Sequence, residues 1–312
     1  MPTTMERAGS QEAPAGSNMA SWPRIALVTP VFNSGKYIEQ TIRSVLAQGY
    51  SNLDYFIVDG GSTDGTLDVI RKYENQIAGW ISEPDDGMYD AINKGFARTT
   101  GEIMGWISAT DMLHVGGLHV VGGVFRDLPE VEWILGWPSL FNEEGMTIIM
   151  LSDLTHWSRY RFLAGANRTI QQESTFWRRS LWEKAGGRVD ASRRWAADFE
   201  LWVRFFRHAQ IYPVDGLIGG FRLHGDSLGL QDMQTCYRIH NEFIEAELGR
   251  MPRSNHVKLV RLVRRISRAV ESNRTARTVW ERLVMNRLYH RAGRDWPPVI
   301  RYQQTKWGFV QK

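Results

Sequence analysis

Cysteine is nearly absent from this sequence: Cys236 is the single one in 312 residues. That excludes an intramolecular disulfide and any zinc site built on several thiolates, and the expected setting is a reducing compartment, the cytoplasm by default. Long hydrophobic runs are missing as well. No stretch reaches the roughly 18 uninterrupted apolar residues that a membrane-spanning helix needs. Residues 1–22 lack the apolar segment of a secretory signal; rich in Ala, Gly, Ser and Pro and carrying Glu6 and Glu12, they are expected to be a disordered leader.

What is present is an ordinary globular composition, 43% apolar and 23% charged, long enough for one large α/β domain with appendages. The net charge of +4 conceals an asymmetry. From Arg253 to Lys312 there are 15 Lys and Arg against Glu271, Glu281 and Asp295, so a basic tail follows a mildly acidic body. Such a tail points to an anionic surface. On a helix over residues 257–270, Leu259, Leu262, Val263, Ile266 and Val270 group together opposite Lys258, Arg261, Arg264, Arg265 and Arg268. That is the pattern of a helix lying in an anionic membrane interface, and peripheral attachment to the inner face of the membrane is the expectation. The arginines lack the interleaved aromatics of a nucleic-acid stacking platform, so no nucleic-acid partner is expected.

Along the chain, β-branched runs alternate with helical patterns. Strands are expected at Arg24–Phe32, Asp54–Asp59, Gly79–Ser82 and Glu102–Ser108, with helices at Lys36–Gln48, Thr66–Tyr73 and Met88–Ala97 between them. Units of this length imply a mostly parallel sheet covered by helices. In such sheets ligands collect beyond the carboxyl ends of the strands, which places Asp59, Asp85 and Asp111 around one crevice. Further on, a Gln-rich segment, Ile170–Arg179, precedes a helix. Ala196–Phe206 is a helix with Phe199, Trp202, Val203 and Phe206 at core spacing and Asp198 in its first turn. Strand-like pieces at Ile211–Val214 and Ile218–His224 close the body, and the chain from Gln231 on has a helical pattern. The expected division is thus a leader at 1–22, a catalytic body at 23–229 and a basic helical extension at 230–312.

Four motifs, Val28-Thr-Pro-Val-Phe-Asn33, Ile57-Val-Asp-Gly-Gly-Ser-Thr-Asp-Gly-Thr66, Ser82-Glu-Pro-Asp85 and Gly87-Met-Tyr-Asp-Ala-Ile-Asn-Lys-Gly95, resemble those of family 2 glycosyltransferases of the GT-A fold, over about two thirds of the chain. The resemblance implies an inverting enzyme of the hexosyltransferase type, which moves a sugar from a nucleotide-diphosphate sugar to an acceptor hydroxyl in cell-surface glycan synthesis. It also implies that Thr29, Pro30 and Phe32 flank the nucleoside, that Asp59 bonds it and that Asp85 meets the donor near its ribose. Asn93, with Lys94, approaches the phosphates. For Asp59 and Asp85 the competing reading is turn formation, a common duty of Asp.

A diphosphate leaving group needs its charge neutralised, and a divalent cation, Mn²⁺ or Mg²⁺, held by carboxylates does this. By resemblance the ligands are Asp111 and the late histidine His224, within Phe221-Arg-Leu-His224-Gly-Asp-Ser227. Here the sequence departs from the family: Thr110 stands where a second Asp is common. Asp198 matches the family's catalytic base, although Ala197 replaces its usual acidic neighbour; N-capping is the alternative duty. Glu200 points about 200° away from it on the helix. Gln172 and Glu173 fall in the segment that meets the transferred sugar or the acceptor, a glycan or a lipid-linked one. Trp177 and Trp195 are candidates for stacking on a sugar ring or for the core, Arg178 and Arg179 for meeting phosphate. The rival reading, prompted by Thr110 and Ala197, is a catalytically weak sugar-nucleotide-binding protein.

Overall fold

The computed structural model describes residues 21–150, 158–165, 170–225, 232–270, 273–280 and 297–310. Its centre is a seven-stranded sheet. Strand β1 (Ile25–Val31) lies between β2 (Leu53–Asp59) and β4 (Ile103–Trp106), and β3 (Gly79–Ser82) flanks β2; all of these pair in parallel. Every residue of β1 is buried, as a strand covered on both faces requires, which is why it reads as an unbroken apolar run rather than an alternating one. The helices α1 (Ile38–Leu46), α2 (Thr66–Lys72) and α3 (Met88–Phe96) cover the sheet. α3 lies directly on β1: a Cβ on Gly95 would come within 2.4 Å of the Val28 side chain.

The chain leaves β1 toward β2 and β3, then returns to β4 on the other side of β1. This reversal is the point at which open α/β sheets hold their ligands, and the loops after β1 and β4 face each other there.

Past β4, a two-residue strand β5 (Met112–Leu113) and helix α4 (Gly117–Asp127) lead to β6 (Trp133–Leu135). Between β4 and β6 the sheet takes in β9 (Thr175–Arg178), antiparallel to both, and β10 (Tyr212–Pro213) forms its edge. A second sheet has the order β5, β11 (Gly219–Arg222), β7 (Ser139–Phe141), β8 (Thr147–Met150). Helices α5 (Arg159–Ala164), α6 (Arg179–Lys184) and α7 (Ala197–Phe205) complete the body.

Of the 13 tryptophans, several build the core. Trp106, Trp133, Trp177 and Trp202 are wholly buried, with Trp202 stacked against Trp106 at 5.8 Å and Trp133 at 5.5 Å. Trp177 is therefore a core residue and not a sugar platform. Trp195 packs half-buried against the same cluster.

The leader, apart from its last two residues, and the 229/230 boundary lie outside the described residues. The extension opens with helices α8 (Met233–Arg250) and α9 (Asn255–Val270), and it ends otherwise than the sequence pattern predicts. β12 (Val299–Gln303) and β13 (Lys306–Val310) form an antiparallel hairpin, Gln304 in its turn taking a φ of 53°. Trp307 of β13 seats against Gly123 of α4, and its N–H donates to Asp127. Val214 bridges to Ile300, so the hairpin docks on the body.

Helix α9 also lies differently from the projection. Its buried stripe is Val257, Val260, Val263 and Arg264, while Leu262 is 51% exposed. The rotation follows from partners at Arg264. Its guanidinium donates to the Leu163 carbonyl at 3.2 Å and to Asn241 Oδ1 at 3.0 Å and meets Glu245, so the cation is buried without being isolated. Val257, Val260 and Val263 are thereby committed to the body.

Candidate active site

The loops after β1 and β2 are interlocked. Asn33 N–H donates to Ser62 Oγ at 2.7 Å, and Thr63 N–H donates to Asn33 Oδ1 at 2.9 Å. Gly35 N–H reaches Asp64 Oδ2 at 2.9 Å, and Ser34 N–H reaches Thr66 Oγ1 at 2.9 Å. Asn33 takes a φ of 44°, a left-handed conformation that Asn tolerates better than most residues.

Behind these loops, Asp59 is wholly buried. One of its oxygens accepts from Gly61 N–H, Ser62 N–H and Ser82 Oγ, and the other from Ser62 Oγ at 2.5 Å. Its carboxylate thus holds the loop that shapes the crevice. A nucleoside contact would require it to exchange one of these donors. Thr29 is likewise enclosed, its hydroxyl 3.0 Å from that of Tyr55, and Pro30 is buried in β1. Phe32 alone of the three is open, at 61% exposure.

Asp85 lies over Gly60: a Cβ on that glycine would approach Asp85 Oδ2 to 2.7 Å. Gly87 N–H donates to Asp85 Oδ1, and partial burial pushes the carboxyl above the usual range. Lys94 is held by Glu83 at 3.2 Å and Asp90 at 3.1 Å. Asn93 departs from the phosphate contact implied by resemblance: both ends of its amide are bonded to the Val189 backbone. Arg178 and Arg179 also lie elsewhere. Arg178 donates to the carbonyls of Val131 and Phe125, and Arg179 to those of Gly101 and Thr99, so both staple chain turns.

Beyond β4, Asp111 is 2% exposed. The Thr41 hydroxyl of α1 lies 2.8 and 2.7 Å from the carbonyls of Ala109 and Asp111, fixing this loop. Arg222 N–H of β11 donates to Asp111 Oδ1 at 2.9 Å. Burial pushes the Asp111 carboxyl up to about 7 against the pull of that N–H and of the Arg222 charge.

Glu173 packs its main chain against Gly219 of β11, the strand that carries Arg222. Buried in the turn before β9, it is pushed well above the carboxylate range by burial first, then by the charges of Asp111 and Asp198. Its environment favours the protonated form over the ionised one. Gln172 donates through Nε2 to the Trp106 carbonyl at the end of β4.

Asp198 sits in the first turn of α7, and the Tyr89 hydroxyl lies 3.3 Å from its Oδ1. Burial raises its carboxyl, opposed by the Phe199 N–H and by Tyr89. A base with raised affinity for a proton suits proton abstraction near neutral pH. Glu200, in contrast, is engaged with Arg204 through both oxygens.

Among the described residues no three of His, Cys, Asp and Glu come together as a metal cage. A hard cation that keeps waters and takes substrate phosphates needs only one or two protein carboxylates, and Asp111 fits that requirement. His224 packs with its ring 5.1 Å from that of Tyr37, beside the Lys36–Glu143 ion pair. Tyr89 and Arg222 both lie in motifs already singled out, Gly87–Gly95 and Phe221–Ser227, but only their contacts identify them as site residues.

Residues 26–118 match the model of the family described as glycosyl transferase family 2. An uncharacterised glycosyltransferase of Mycobacterium tuberculosis strain H37Rv is 31% identical over 192 residues, which is 60% of this chain and 70% of the relative. A Bacillus subtilis glycosyltransferase named for teichuronic acid biosynthesis, TuaG, is 35% identical over 97 residues, 30% of this chain and 38% of its own. Among solved structures, S. aureus TarS 1–349 in complex with UDP-GlcNAc superposes with a TM-score of 0.63 at 16% identity, covering 85% of this chain and 77% of that one. The mannosyltransferase PcManGT of Pyrobaculum calidifontis, in complex with GDP-Man and Mn²⁺, gives 0.52 at 14%, covering 88% and 89%. With the fold shared and 70% of the mycobacterial relative covered, this chain belongs to glycosyltransferase family 2.

Proposed function

We propose that this enzyme transfers a sugar from a nucleotide-diphospho-sugar to an acceptor hydroxyl with inversion at the anomeric carbon, in the synthesis of a cell-surface glycan. The carrying observation is a buried carboxylate, Asp111, just beyond the end of β4, where Gln172 of the segment before β9 also bonds, together with Asp198 at the head of α7 against Tyr89 of α3, in a chain of this family. An acceptor hydroxyl loses its proton to Asp198 while it attacks the face opposite the nucleotide, and one carboxylate serves this step. The Tyr89 hydroxyl orients that carboxylate. Phe32 offers the open aromatic face for the base, and Asp85 the carboxylate beside it.

On this reading Asp111 would hold a divalent cation, with His224, the late histidine of the family pattern, as the candidate for a second ligand. The cation would supply charge to the departing diphosphate. Neighbours of the same fold carry UDP-GlcNAc, UDP or GDP-Man, which supports a nucleotide-sugar donor without choosing among them. The protein is divided functionally into a catalytic body over 23–229 and an extension over 230–312.

No helix among the described residues is long and apolar enough to cross a membrane. For a lipid-linked acceptor we favour attachment by charge, through the cations Lys258, Arg261, Arg265 and Arg268 exposed on α9, at the inner membrane face. The deciding experiment is nucleotide release from UDP-, GDP- and dTDP-sugars with Mn²⁺ or Mg²⁺, in the native protein and in Asp111→Asn and Asp198→Asn. Metal-dependent release from one donor, lost in Asp111→Asn, is expected. Binding of a donor without turnover, even with lipid extract as acceptor, would favour a sugar-nucleotide-binding role instead.

A further inference from the structure

Among the described residues Arg222 is the largest charged side chain with no exposure at all. It sits at the end of β11, and its main-chain N–H is the donor to Asp111 Oδ1. Its guanidinium ties together three separate segments around that carboxylate. Nε donates to the carbonyl of Thr110 at 2.5 Å, and Nη1 is shared between Gln40 Oε1 of α1 at 2.8 Å and the carbonyl of Glu143, in the β7–β8 turn, at 2.6 Å. The guanidinium carbon lies 5.2 Å from the ring centroid of Tyr37, whose ring also neighbours His224 and the Lys36 ammonium. Among the described residues Nη2 has no hydrogen-bond partner, although it is buried.

This arrangement is costly unless it serves something. A buried cation with an unused donor loses hydration that its protein contacts do not fully replace. A planar guanidinium is the side chain able to address acceptors on three segments at once, and an ammonium in its place would be a single point charge. The position where the family commonly has a second acid is Thr110, and it is the main-chain carbonyl of Thr110 that Nε holds.

We infer that Arg222 is the positioning residue of the donor site: it fixes Asp111 and the Thr110 loop toward the diphosphate end of the crevice, so that a single carboxylate suffices where a second acid is common. The inference rests on the proposed role of Asp111. Oδ1 of Asp111 is occupied by the Arg222 N–H, and the carboxylate's direction is set by β11 and by the pinned loop. Arg222 acts through Asp111, and its loss should therefore resemble loss of Asp111.

The test is a double-mutant cycle read by calorimetric binding of UDP and GDP in Mn²⁺, using Arg222→Lys, Asp111→Asn and the combination. Each single change is expected to weaken binding by about tenfold, and the double change by little more than the worse single, the signature of two residues acting as a unit. Gln40→Ala, at an exposed helix position, loosens the guanidinium with little threat to folding, and should weaken binding by about two- to fivefold, again only when Asp111 is present. Losses that multiply, or an Arg222→Lys protein that binds as the native one does while Asp111→Asn does not, would overturn the inference and leave the donor-site reading standing. Binding unaffected by Asp111→Asn would overturn both.

Discussion

Asn93 and Val189 close on each other across 96 positions of sequence: Asn93 Nδ2 donates to the Val189 carbonyl at 2.9 Å, and Val189 N–H donates to Asn93 Oδ1 at 2.8 Å. A side-chain amide that matches a main-chain N–H and C=O in this way satisfies all the groups it meets. It fastens the segment leading into α7 to α3, and with it the approach to Asp198. Asn93→Ala should cost about 1–3 kcal/mol of stability, because Val189 keeps its polar groups and loses their partner. Donor affinity should be unchanged while transfer falls; denaturant melts and nucleotide binding read the two separately. A donor Kd weakened by tenfold would restore the phosphate contact implied by resemblance.

The second prediction concerns the base. Asp198→Asn should lower transfer by roughly two to four orders of magnitude, the usual contribution of a positioned general base, with donor binding retained. Single-turnover transfer with saturating donor measures this. A loss below tenfold would remove Asp198 from the reaction.

Activity should also rise with pH through the Asp198 carboxyl, whose proton affinity burial raises above that of an exposed Asp. Tyr89 opposes that shift by bonding the ionised form. In Tyr89→Phe the acid limb of the kcat profile should therefore move to higher pH. A limb that stays in place, or moves lower, contradicts the contact.

Asp111 links function to stability. Burial raises its folded-state pKa to about 7, from the 3.8 of an ordinary Asp, so the folded protein binds a proton more tightly than the unfolded chain between these values. The linkage slope is then negative: this group's contribution declines as pH rises from about 4 to 7 and stays unfavourable above. Asp111→Asn keeps an acceptor for the Arg222 N–H and removes the buried charge. Its Tm at pH 8 should exceed that of the native protein by a few degrees, consistent with on the order of 1–2 kcal/mol. Activity is lost in the same variant, and equal melting at pH 5 and pH 8 would count against the assignment.

The C-terminal hairpin should behave as part of the body. Trp307→Ala empties the site over Gly123 and should cost about 3–5 kcal/mol, the usual range for a buried tryptophan. Chemical denaturation of that variant checks it; a change under 1 kcal/mol would mean that the hairpin is merely laid on the surface.

Much of this protein was already determined by local sequence. The buried strands β1 and β2, the helices between them and the turn loops follow from unbroken apolar runs, helical spacing and Gly, Pro and Asp punctuation, because these act over a few neighbouring residues. The strand ends give the expectation that Asp59, Asp85 and Asp111 surround one crevice, and the motifs single out Asp198 and Glu173 as further candidates. Some local signals were nonetheless misleading. The pattern beyond Gln231 continued as helix, yet Val299–Val310 pairs as a hairpin, since Val299 and Ile300 gain the edge of the sheet and Trp307 a seat on α4.

Tertiary structure alone decided what each polar side chain does. Asp59, Asn93 and the pair Arg178 and Arg179 carry the residue types of ligand contacts, and each makes hydrogen bonds to the chain itself. Sequence specifies a donor or an acceptor but not the partner 30 or 100 positions away that will occupy it. The face that α9 buries was likewise set by Arg264 finding Leu163, Asn241 and Glu245, a choice absent from any periodicity. Arg222 is the clearest case. It lies in a segment singled out for His224, not for itself, and only the meeting of β11, α1, the β7–β8 turn and the loop after β4 brings its hydrogen bonds to the loop of Asp111, where burial makes each of them count.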